Sequence, residues 1–163
     1  MAITQEQVEQ WRLEHQRKVE ANKARIQEIL DTDDLLDEHG YPTDGALEIV
    51  EKWHWDDIKG WFDFINSIWY LKSWGWSEGE EDNEYETGKK VYRYHISTAG
   101  WSGNESVIHA MQQADMLWGL TWVQSRRGGH YIFEGRELHV EEETNNASDD
   151  SEGINRATGE ETC

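Results

Sequence analysis

Cysteine is almost missing from this chain: among 163 residues there is one, Cys163, the last. No internal disulfide and no cysteine-based metal site can be built. Long apolar runs are missing too, and none approaches the roughly 20 residues a membrane-spanning helix needs. The opening MAITQEQVEQW has neither a basic stretch nor an apolar one, so it does not read as a signal peptide. Basic residues are scarce, with 15 Lys and Arg against 34 Asp and Glu, for a net charge of −19. That balance argues against wrapping nucleic acid or docking on an anionic membrane. It favours basic partners and solubility, and the expected location is the cytoplasm.

The charge is uneven. Residues 1–30 carry five acids and five bases, so the excess lies beyond them, in clusters at 31–44, 78–86 and after Val140. Tryptophan is abundant, with ten copies. One tryptophan buries on the order of 200 Å², so a few can dominate a small core. The sharper reading is an exposed aromatic platform, for which Trp53 with Trp55 and Trp74 with Trp76 are the spaced pairs.

Hydrophobic spacing gives the expected organisation. Thr4 opens a charged helix over residues 1–30 with a thin apolar stripe: Val8, Trp11, Val19, Ile26, Ile29 and Leu30, with His15 and Asn22 on the same side. The stripe does not hold a heptad. Residues 31–42 read as an acidic linker. They are no calcium loop, because Leu36 stands where an EF-hand needs glycine and no glutamate falls at the twelfth position. A core over 43–139 follows. Its second helix is capped by Thr43, and a third is opened by Asp56-Asp57 with Ile58, Trp61, Phe62, Ile65, Ile68 and Trp69 at helical spacing. Strands are expected at 72–77 and 89–98 around an acidic loop, then a helix from about 103 to 115 started by a Ser102/Glu105 capping box. A second hairpin, 117–124 with 130–138, closes on Arg126-Arg127-Gly128-Gly129. Residues 140–163 read as a disordered acidic tail. The fold class is therefore α+β: N-terminal helices, then about four strands in a ββαββ order.

The order strand, helix, strand over 89–124 permits a parallel crossover, which would bring both strands to one sheet edge. That edge would gather Ser102, Gly103, Asn104 and Glu105 at a helix start with Arg126, Arg127, Gly128, Gly129 and His130 in a turn. Free N–H groups, two arginines and a histidine suit a phosphate or carboxylate. The plainer alternative is a hairpin turn whose arginines pair surface acids and a helix capped by Ser102 and Glu105. Catalytic patterns are weaker. Ser102 lacks the Gly-x-Ser-x-Gly elbow, and its pairing with His130 has no third member. His54 and Asp56 with Glu51 have no His-x-x-x-His spacing for a metal, and His109 reads as a half-buried packing residue. No cofactor is expected.

The stretch STAGWSGNESVIHAM, then Trp118 and Trp122, then SRRGGHYIFE, resembles a family of small tailed-bacteriophage and prophage proteins whose members open with a Tyr-Pro-Thr-acidic helix start like Tyr41-Pro42-Thr43-Asp44. The resemblance covers roughly 40–135 and departs at Ala99, where glycine is expected. It implies a phage origin and a bacterial host cytoplasm, and it carries no activity. Three functions follow as expectations, in order: an acidic accessory protein that binds a host or phage protein, a small-ligand domain or enzyme at the glycine-arginine edge, and a carbohydrate binder using exposed tryptophans.

Overall fold

A computed structural model of the chain describes residues 3–135. The expected tail at 140–163, like the end of the core, lies outside them. Helix α1 (Gln5–Thr32) begins at a reciprocal box: Gln7 N donates to Thr4 Oγ1 and Thr4 N donates to Gln7 Oε1 at 2.9 Å. Only its far end is anchored. Ile29 is buried, and Arg25 reaches Glu48 on α2 (Asp44–Lys52) with both Nε (3.1 Å) and Nη2 (3.0 Å). Close approach at that end needs Gly45, where a Cβ would stand 2.9 Å from Ile29 Cγ2.

The stretch expected as an acidic linker is folded. A bridge joins Leu36 to Pro42, Thr43 N donates to Leu35 O, and Asp37 Oδ1 accepts from the backbone of His39 and Tyr41. An aspartate satisfying turn amides gives a polar segment fixed structure without a core of its own. Thr43 then caps α2 and Asp57 caps α3 (Ile58–Ile68), as the spacing indicates.

Two strand expectations change. Of residues 72–77, expected as strand, the first four form a short helix, α4 (Lys72–Gly75), entered through Leu71 at φ 56°, and the last two begin strand β1 (Trp76–Asp82). The first half of the acidic loop is thus strand. Its partner β2 (Lys90–Ser97) supplies bases in register: Asp82 faces Lys90, and Glu81 reaches Arg93 and His95. Charges along an edge strand also resist edge-to-edge pairing. Further on, α5 (Ser102–Gln113) is followed by α6 (Asp115–Thr121), so 117–121 is helix and β3 is only Trp122–Arg126. Thr121 returns its hydroxyl to Leu117 O at 2.7 Å, the helical bond that its β-branched side chain hides from a pattern reading.

Strand β4 (His130–Gly135) settles the sheet, whose order is β1-β2-β4-β3 with every neighbouring pair antiparallel. β2 and β3 run parallel, but β4 lies between them, so the expected crossover skips one strand. Tyr94 and Ile96 of β2 and Phe133 of β4 face the buried side chains of α2, α3, α5 and α6. Phe62 stacks on Tyr94 at 3.9 Å between ring centres, and Trp61 Nε1 donates to Val50 O at 2.9 Å. Large rings make this core; the Trp61 indole N–H is satisfied, whereas the buried Trp69 Nε1 has no hydrogen-bond partner among the described residues. The alternate positions, Arg93, His95 and Ser97 with His130, Ile132 and Glu134, form the other face of the sheet.

Candidate functional site

The glycine-rich stretch after β2 is a clasp. Ala99 and Gly100 are both left-handed (φ 54° and 71°), which turns the chain sharply into α5. Trp101, the residue that precedes the helix, lies between Tyr41 (4.6 Å) and Tyr70 (4.4 Å). Its ring rests on Gly103, where a Cβ would come within 2.2 Å of it. Asn104 is fully buried: Tyr70 N donates to its Oδ1 and its Nδ2 donates to Tyr70 O, both at 3.0 Å, with Thr98 O at 3.5 Å. Gly103 and Asn104 thus hold three chain segments together and are closed to a ligand. Ser102 does not cap: α5 has no side-chain cap, and Ser102 and Glu105 are exposed. A capping residue must precede the helix in extended backbone, and Trp101 occupies that position.

Thr98 N donates to Gly129 O at 2.9 Å, which ties the clasp to the turn at residues 127–129. Gly128 and Gly129 both have positive φ in the three-residue hairpin turn, and a Cβ on Gly129 would strike Thr98 Oγ1 at 2.2 Å. The two expected groups therefore share a sheet end in backbone, yet their side chains diverge. Ser102 and Glu105 line a cavity of about 440 Å³ with Leu47, Glu51, Ser106 and His109. His109 is exposed there, not half-buried, because its helical position faces away from the core side of Val107, Ile108 and Met111. His130 lines a different groove.

That groove opens on the second sheet face. Cross-strand register places Ser97, His130 and Arg126 in one row and Ser77, His95 and Ile132 in the next. Trp74, Gly75, Trp76, Ser77, His95, Ser97 and His130 enclose about 350 Å³. His95 Nε2 lies 2.6 Å from Glu81 Oε1, and the His95 and His130 rings stack at 6.0 Å. Burial pushes the Glu81 carboxyl up, but hydrogen bonds from His95 and Arg93 outweigh it and hold it below the usual range. Burial lowers His130, and the nearby His95 and Arg126 charges lower it further, so at neutral pH its ring carries one donor and one acceptor.

The acids beside the groove converge on Arg93, whose guanidinium meets Glu134 (3.0 Å), Glu81 (3.3 Å) and Glu84 (3.5 Å). Glu134, then Glu81, raise the Arg93 pKa against the effect of burial. Arg126 and Arg127 have no ion pair with any described residue, which removes the plainer reading of them as surface-acid partners within those residues. Trp74 stands at the rim, 70 % exposed. The tryptophan pairs do not share strand faces: Trp53 and Trp55 flank the end of α2, and Trp74 sits in α4. No group of three or more His, Cys, Asp or Glu fit to hold a metal occurs among the described residues.

Pattern reading missed Glu81, and it named Trp74 only as a same-face strand partner of Trp76. His95 alternates visibly with Arg93 on a strand, but its carboxylate partner is 14 residues away and depends on the β1–β2 register. Compared with known proteins, the chain matches no family model, no curated protein and no solved structure.

Proposed function

We propose that the chain is an accessory protein that acts by binding another protein, with α1 as the docking element. The observation that carries this reading is the helix itself. It runs for 28 residues and buries only Ile29, while Val8, Trp11 and Leu13 stay exposed, Trp11 at 66 %. Two thirds of a tryptophan left in water represents about 3 kcal/mol released on burial, at about 25 cal/mol per Å². Trp11 stacks on His15 at 5.4 Å, which holds the indole in place before any partner arrives. The net charge of −19 selects a partner with a basic surface and speeds its approach. The motif resemblance supports a bacterial host cytoplasm as the setting and a host or phage protein as the partner.

A photoreactive residue at position 11, with one at exposed Tyr85 as control, tests the reading in bacterial cells. The expected result is one stoichiometric adduct from position 11 that weakens with salt and disappears when His15→Ala and Val8→Ala, on the same helix face, are added. Background adducts of equal strength from both positions would overturn it. An adduct of twice the chain's mass would make the partner a second copy instead.

A further inference from the structure

The groove beside Trp74 is independent of α1. We propose that it is a binding site for a small phosphorylated ring compound, of the nucleotide or sugar-phosphate class, with the ring on Trp74 and the phosphate at Arg126 and Arg127.

Three features of the groove point to this chemistry. Trp74 is the exposed wall, on a helix whose next residue, Gly75, has its backbone against Ser97 O, so the indole is carried on a fixed base. An exposed indole presents a flat face for a base or sugar ring. Beside the apolar faces of Trp74 and Trp76, the Ser77 and Ser97 hydroxyls, the His130 imidazole and the His95 edge not bonded to Glu81 offer donors and acceptors to ring edges. An apolar ligand would leave these groups without water or partner, which costs binding energy.

Charge supplies the other end. The row Ser97, His130, Arg126 crosses from β2 through β4 to β3, so from the β1 side of the groove to Arg126 is three strand spacings, about 14 Å. Three carboxylates near this face, Glu81, Glu84 and Glu134, are drawn to Arg93, and Glu81 is also paired with His95. Arg126 and Arg127 are left with no described ion-pair partner, beside a turn that is open at Gly128 and packed on Thr98 at Gly129. Arg126 shares a cross-strand row with His130, which lines the groove, and Arg127 follows it in the turn, so both guanidiniums stand at that end of the sheet. A phosphate is met there by two guanidiniums.

The full chain decides it. Thermal unfolding and tryptophan fluorescence are measured with AMP, UMP, ribose 5-phosphate, glucose 6-phosphate, adenosine and inorganic phosphate. Trp74→Ala and Arg126→Ala/Arg127→Ala variants run alongside; all three positions are exposed, so the fold is kept. A phosphorylated ring is expected to raise the midpoint by several degrees at about 100 times Kd and to quench fluorescence. Trp74→Ala should abolish the quenching, and each variant should weaken binding at least tenfold. If nucleotides alone act, the ring is a base; if the sugar phosphates act equally, it is the sugar. No response to any phosphorylated ring at millimolar concentration overturns the proposal, as does a response equal to that of inorganic phosphate or unchanged in both variants. Trp11→Ala serves as the control that separates this site from α1, and it should bind like the parent protein.

Discussion

Replacing Asn104 by alanine would show whether the glycine-tryptophan motif is a structural clasp. The side chain is fully buried and serves one backbone donor and two backbone acceptors: Tyr70 N and Tyr70 O at 3.0 Å and Thr98 O at 3.5 Å. Each well-formed bond contributes about 1 kcal/mol net, and a buried group left without a partner costs about 1–3 kcal/mol. Tyr70 is half exposed, so water recovers part of its loss. The expected destabilisation is about 3 kcal/mol, a large share of the roughly 5–15 kcal/mol of a domain this size. Urea unfolding followed by tryptophan fluorescence should show a lower midpoint at unchanged slope. Asn104→Asp sharpens the test. Its carboxylate would face two carbonyl oxygens in a buried site, so its folded pKa would lie above the unfolded value of about 3.9. A raised carboxyl pKa means the folded state holds the proton more tightly, so stability falls as pH rises through and above that value. The deficit against the parent protein should therefore be small at pH 3.5 and grow toward pH 7. A loss below about 1 kcal/mol for Asn104→Ala, or a pH-independent Asn104→Asp deficit, would refute the clasp.

Three further outcomes follow from local geometry. Ala99 holds a left-handed conformation that costs an L-residue about 1–2 kcal/mol, against about 0.5–1 kcal/mol for glycine's extra chain entropy, so Ala99→Gly should stabilise by about 0.5–1 kcal/mol in the same urea assay. Glu48 is held at about 2, first by its hydrogen bond from Arg25 and then by Lys52, so the stability it contributes is present above pH 4.5 and lost as pH falls toward 2. Glu48→Gln should flatten that acid limb and let a protease cut α1 sooner in the native protein. His130 titrates below its ordinary value, so acidification through and below about pH 6.5 should destabilise the fold, and His130→Gln should remove that part of the slope in a midpoint-against-pH series.

Helix starts were legible in the chain because a cap is a local event. Thr4, Thr43 and Asp57 each reach an amide three residues on, as their spacing indicates. Ser102 shows the limit of such patterns. Its Ser-x-x-Glu spacing fits a capping box, but Trp101 is drawn between two tyrosines from distant segments, and that packing sets the helix boundary one residue early.

The same division explains the strands. Alternation along β2 separates Tyr94 and Ile96 from Arg93 and His95, and both faces are used as that alternation requires. The acids of β1 read as loop because their partners are not local: Lys90, Arg93 and His95 come from the next strand. The α6 segment, its second half expected as strand, is helical because Leu117 and Thr121 find buried positions one turn apart.

From its residues alone the chain determined the α+β class, the three leading helix starts, the aromatic core and the acidic balance, since each depends on composition or on spacings of a few residues. Only the tertiary structure decided that β4 lies between β2 and β3. That insertion carries His130 to His95, separates both from Ser102 and Glu105, and leaves Arg126 beside the groove. The physical reason is that strand order is set by which faces bury together, a property of the whole sheet that no local spacing encodes.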